Sequence, residues 1–136
     1  MSVAAAIRIS SPHEAHVIRH AASFATGEQA QCYVIAVVDE LPYGRGAEDA
    51  RDAVRDNLAL IEEVHACALL QEGDDVASTL VAVGSGFGVT TLFLQPGTRR
   101  LLGRSVAERL LYLNPPFDVV IVGEDGVSAK RSLIPR

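Results

Sequence analysis

The chain has 136 residues and a formal charge of −5 at neutral pH, with 49% hydrophobic residues. That length suits one domain able to bury a core without disulfide or metal staples, and the hydrophobic content excludes intrinsic disorder. The acidic balance argues against nucleic-acid binding, which needs a basic footprint, and no apolar run approaches the roughly 18 residues of a membrane-spanning helix. Met1-Ser-Val-Ala-Ala-Ala is too short for a signal peptide, so a soluble cytoplasmic domain is the expectation. Aromatic residues make up 5% and Trp is absent, which leaves a core of Val, Leu, Ile and Ala. Cys32 and Cys67 fall inside apolar runs without CxxC spacing and read as buried, reduced thiols on adjacent strands.

In chain order, Ala4 to Ile9 is a strand candidate of small residues, closed by the turn Ser10-Ser11-Pro12. Ser11 is placed to cap a helix with Pro12 at its first position and Glu14 at its third. Val17, Ile18, Ala21, Phe24 and Ala25 give that helix an apolar face, and Gly27 ends it. Gln31 to Val38 is the strongest strand, and Asp39 to Gly46 a loop. From Ala47 to about His65, Ala50, Val54, Leu58, Ile61 and Val64 recur at helical spacing. The acidic residues of this segment fill the opposite, wet face, and His65 is placed to cap the helix end. Ala66 to Gln71 is a short strand, and a third helix runs from Asp75 to about Val83. Gly84-Ser-Gly forms its flexible exit. Val89 to Leu94 is an apolar strand of the kind covered on both faces.

Gln95 to Arg104 is a turn-rich loop with Pro96, Gly97, Gly103 and three arginines. Ser105 opens the next helix, and Glu108 three positions later completes a capping-box signature. Asn114-Pro115-Pro116 stops that helix, and Phe117 to Val122 is the last strand. Five strands alternating with four helices predict an α/β fold, a single open parallel sheet with helices on both faces, over residues 1–122. Residues 123–136 read as a polar tail, draped or frayed. The last strand, with an edge free to pair, is the expected dimer contact, alone or together with the tail after it.

Several phrases resemble the universal stress protein family. They are Ser11-Pro12, Val17-Ile18-Arg19-His20-Ala21-Ala22, Tyr33-Val-Ile-Ala-Val-Val-Asp39, Asn57-Leu58, Thr90-Thr91-Leu92 and the run from Leu102 to Leu111. The nearest branch is the universal-stress-like domain of bacterial potassium-sensing histidine kinases. The resemblance covers about residues 4 to 122 and implies strand order 3-2-1-4-5. It also implies a homodimer, a signalling-protein partner and, in some members, ATP or another adenine nucleotide at the strand carboxyl ends.

The candidate ligand site joins Gln95, Gly97, Arg99, Arg100, Gly103, Arg104, Ser105 and Val106 to Ser10, Ser11 and Val38 at the ends of the first two strands. Backbone N–H groups at a helix start, glycines that admit close approach and guanidinium groups suit a phosphate. The same loop also reads as an ordinary strand-to-helix connection with a solvated basic cluster. Nucleotide-binding family members carry Gly-x2-Gly-x9-Gly-Ser/Thr here. Ser105 matches its last position, Arg104 replaces the preceding glycine, and the first glycine would fall on Thr91. Many such members also place an aspartate at the end of the first strand, where this chain has Ser10 and Ser11.

Arg8, between Ile7 and Ile9, is expected to be buried in the central strand, paired with Asp39 or awaiting an anion. His13, His16 and His20 lie within about 60° on the first helix. That spacing admits a metal, but a solvated flank fits better without facing ligands, and no metal is expected. No nucleophile–base pair, Gly-x-Ser-x-Gly elbow or Gly-x4-Gly-Lys-Ser/Thr loop occurs, so a binding module is expected and not an enzyme.

Overall fold

A computed structural model of the chain describes residues 1–38, 46–72, 75–96, 105–124 and 126–131, with the backbone alone at 38 and 126–131. The elements are β1 (Ser2–Ile7), α1 (Ala15–Gly27), β2 (Gln31–Val38), α2 (Ala47–Glu63), β3 (Cys67–Glu72), α3 (Val76–Gly86), β4 (Val89–Leu94), α4 (Val106–Tyr112), β5 (Asp118–Gly123) and β6 (Gly126–Arg131). The five expected strands are parallel in the expected order 3-2-1-4-5. Residues 126–131, from the segment read as a tail, add a sixth strand antiparallel to β5. β5 is thus paired on both sides, and the free edge on which the expected dimer contact depended is occupied by the chain's own β6.

Alternation along the strands sorts the core into two layers. Val3, Ala5 and Ile7 of β1, Val34 and Ala36 of β2 and Phe93 of β4 meet Val17, Ile18 and Ala21 of α1 and Leu60 and Ile61 of α2. On the other face Ala4, Ala6, Ile35, Val37, Leu92 and Leu94 meet Ala77 and Leu80 of α3 and Leu110 of α4. The alanines of β1 let both helix layers approach the central strand closely. Where β1 meets β4 the register shifts between Ser2 and Val3, so that Thr90 is an extra residue. Its hydroxyl donates to the Ser2 carbonyl at 3.1 Å.

Helix ends depart from the sequence reading in informative ways. α1 begins at Ala15, later than a Ser11 cap would allow. The Ser11 hydroxyl instead accepts from the His13 N–H, 3.3 Å away, a turn that competes with the helix. Gly27 is the last helical residue of α1, and the left-handed position that follows falls on Gln29 at φ 52°. His65 (φ 59°) and Asn114 (φ 51°) hold the equivalent positions after α2 and α4. In α2 the buried stripe is Ala50, Ala53, Asn57, Leu60 and Ile61, whereas Leu58, expected inside, is 40% exposed. Its acidic residues do lie on the wet face.

α3 runs on through Gly84, which is therefore no flexible exit: a Cβ there would lie 2.8 Å from the fully buried ring of Phe117. Its start is capped by Asp75, whose carboxylate accepts from the Ser78 hydroxyl at 2.8 Å and from Arg109 of α4 at 2.6 Å. One side chain thus ends a helix and ties it to its neighbour.

Cys32 and Cys67 are free thiols on adjacent strands, as expected, but Cys67 is exposed and Cys32 only half-buried. β3 is the sheet edge, with a neighbour on one side only, which leaves the start of that strand uncovered. Burial pushes the Cys32 thiol up to about 11. No described helix is long and apolar enough to cross a membrane.

Three measurements test this packing. Overpacking costs about 1–3 kcal/mol against about 1 kcal/mol gained in helix propensity, so Gly84→Ala should lower stability in urea unfolding. Gly86→Ala, with nothing within 4 Å of the added carbon, should not. An equally stable Gly84→Ala would mean that Phe117 yields. A thiol-directed reagent at pH 8 should label Cys67 quickly and Cys32 slowly, and equal rates in the native protein would contradict the layering. Hydrogen bonding from Ser78, with further help from Arg109, holds the Asp75 carboxyl below its ordinary 3.8. A depressed carboxylate stabilises the fold above its unfolded value and loses that contribution as pH falls through the folded one. The stability gap between the parent and Asp75→Asn should therefore shrink below pH 3.8. A constant gap would show that the charge is immaterial.

Candidate functional site

In a sheet of order 3-2-1-4-5 the chain reverses its direction of winding between β1 and β4, and their carboxyl ends open a crevice there. Ala6 pairs with Leu94, which sets Gln95 level with Ile7, and Ile7 pairs with Ala36, which sets Val38 level with Ile9. Ser10, Val38 and Gln95 all lie at the carboxyl side of the sheet, where β2 reaches two residues past the end of β1 and β4 stops one residue short of it. Gly97, Arg99, Arg100, Gly103 and Arg104 lie outside the described residues, as does Asp39.

Ser105 is the N-cap of α4, as its capping-box position predicts. Its backbone is extended (φ −62°, ψ 163°), and its hydroxyl oxygen accepts from the Glu108 N–H at 3.2 Å. Among the described residues that hydroxyl makes no hydrogen bond as a donor. The residue is buried at 9% exposure, and Val106 beside it is half-buried.

The β1–α1 loop is built differently from the sequence reading. β1 ends at Ile7, so Arg8 lies past the strand and its side chain is 67% exposed. Its guanidinium stands 3.6 Å from the carboxylate of Glu14, and that carboxylate also receives the Arg8 backbone N–H at 3.3 Å on each oxygen. The buried member of the pair is the glutamate, 4% exposed. A short strand moves the charge to the surface and removes the desolvation that a central arginine would suffer. Ser11 donates its N–H to the Arg8 carbonyl at 3.0 Å and is buried at 6% exposure. Ser10 is half-buried and makes no hydrogen bond among the described residues.

Asn57 is a contributor that the pattern of apolar residues misses. Its carboxamide, 4% exposed, donates to the carbonyls of Ile9 and Ser11, both at 2.9 Å. The signal was available, since Asn57 continues the spacing of Ala50 and Ala53 into the core stripe.

The three histidines separate. His16 is half-buried with Nε2 3.0 Å from the Val122 carbonyl oxygen, tying α1 to β5 and not forming a solvated flank. Among the described residues no group of three His, Cys, Asp or Glu side chains is arranged to hold a metal ion.

No protein-family model matches the chain, and no curated protein does. Solved structures do. The chain is similar to a universal stress protein from Archaeoglobus fulgidus at TM-score 0.60 and 17% identity, over 89% of this chain and 92% of that one. It is also similar to a protein of the universal stress protein family from Burkholderia pseudomallei at TM-score 0.59 and 24% identity, over 89% and 94%. Strand order, helix layers and this likeness along nearly the whole chain agree: the chain has the universal stress protein fold.

Proposed function

We propose that the chain is a stress-response or signalling module, of the type carried by bacterial potassium-sensing histidine kinases. Its carboxyl rim takes an adenine nucleotide such as ATP, or a related phosphate ligand. It acts as a binding module in the cytoplasm, without catalysing a reaction on the ligand, and passes the bound state to a partner protein. The observation that carries this reading is Ser105. It caps the helix that follows β4 in the chain, its hydroxyl donates to nothing among the described residues, and the first α4 N–H groups are directed out of the helix. Ser10, Val38 and Gln95 supply neutral groups on the same rim, and Arg99, Arg100 and Arg104 supply charge from the preceding loop.

A second reading is a ligand-free dimeric interaction domain with a degenerate loop. It is favoured by the way the β1–α1 loop consumes its own acceptors: the Glu14 carboxylate goes to Arg8, and the Ser11 hydroxyl oxygen to His13. No aspartate stands at Ser10 to take a ribose or adenine donor. With β5 paired on both sides, a homodimer built by strand pairing would use the β3 or β6 edge.

Calorimetric titration of ATP into the parent, Ser105→Ala and Arg99→Ala/Arg100→Ala forms separates the two. The first reading expects weak binding that each change reduces and that salt weakens, because charge-assisted contacts at a half-open site are screened. In a thermal-shift screen of ATP, ADP, AMP and cyclic dinucleotides, a ligand at about 100 times its Kd adds about 2.7 kcal/mol. No heat at millimolar ATP in any form, with a dimeric mass at micromolar protein, would leave the second reading. A monomeric mass would remove its dimer.

A further inference from the structure

We propose that Asn57 is a positioning residue that latches the β1–α1 loop to α2, so that the carboxyl rim takes its shape from a helix outside it. The inference deepens the reading of that rim as the ligand side. The loop's other hydrogen bonds are local: Arg8 N–H to Glu14 spans six residues, and His13 N–H to the Ser11 hydroxyl spans two. Local bonds give a loop its shape but do not say where it lies. The two bonds from Asn57 reach across 48 and 46 residues and end on carbonyls on either side of Ser10. They fix the loop's place against the sheet.

One carboxamide has two N–H donors, and both are used here at 2.9 Å. An apolar side chain would suit packing alone at a stripe position, and the chain has Leu58 next door, turned 40% outward. Putting an amide into the core and a leucine outside is costly unless the amide does what a leucine cannot. Here it satisfies two carbonyls beside Ser10, the one rim serine whose hydroxyl is uncommitted among the described residues. Displacing the loop would carry Ser10 with it.

The test is hydrogen exchange on the whole chain without nucleotide, so its outcome does not depend on whether ATP binds. The reporters are the amides of Arg8, Ser11 and His13, compared with those of β1 and β4. Asn57→Leu should speed exchange at the three loop amides by roughly tenfold or more, and at the central strands by much less. Leu60→Ala, a buried apolar neighbour on the same helix, should instead speed both groups together. In Asn57→Asp the carboxylate cannot donate, so loop protection should be lost at neutral pH. It should return in part in acid, where the protonated group regains one donor. If Asn57→Leu accelerates loop and central strands by the same factor, or Asn57→Asp shows no recovery in acid, Asn57 is packing material and the proposal fails.

Discussion

A central strand covered by helices on both faces must be apolar, small and fully paired, and β1 meets that demand with Val3, Ala4, Ala5, Ala6 and Ile7, none more than 6% exposed. Its alanines set the distance at which α1 and α2 on one side, and α3 on the other, can approach. On the α3 side, Gly84 has no room for even a methyl group beside Phe117. The strand also fixes the rim. β1, β2 and β4 run parallel, so their carboxyl ends lie on one side of the sheet.

Much of this was legible in the residues. Hydrophobic period separated strands from helices, and the Ser105–Glu108 spacing located the α4 cap to the residue. What was not legible shares a cause: the choice between local and distant partners. Ser11 and Glu14 have the residue types of a helix start, yet both spend their oxygens inside the β1–α1 loop. Arg8 looks buried when its neighbours are counted as strand and is exposed once the strand stops at Ile7, two residues before the expected end. Leu58 and Asn57 compete for one core position, and hydropathy favours the leucine. The amide occupies it because two carbonyls on another element need donors. Cys67 reads as core because its run is apolar, but an edge strand has only one neighbour.

The candidate site is therefore a composite. Its β1 side commits a carboxylate, the Ser11 hydroxyl oxygen and an amide within the chain, and leaves the Ser10 hydroxyl uncommitted among the described residues. Its α4 side keeps a hydroxyl hydrogen and helix-start N–H groups in reserve. The nucleotide reading and the ligand-free reading divide on whether those donors suffice. The fold itself is common to both.

The pairing of β1 with β4 also governs the order in which the molecule can be assembled. The bond from Thr90 to Ser2 closes a separation of 88 residues, and β1 has no other partner on that side. During synthesis from the amino terminus, β1, α1, β2, α2 and β3 can associate long before β4 exists. Until then one side of the central, deeply buried strand is an open row of unpaired N–H and C=O groups. The half-made domain would carry a sticky seam that the finished one hides, and the speed with which α3 and β4 follow sets how long that seam is exposed.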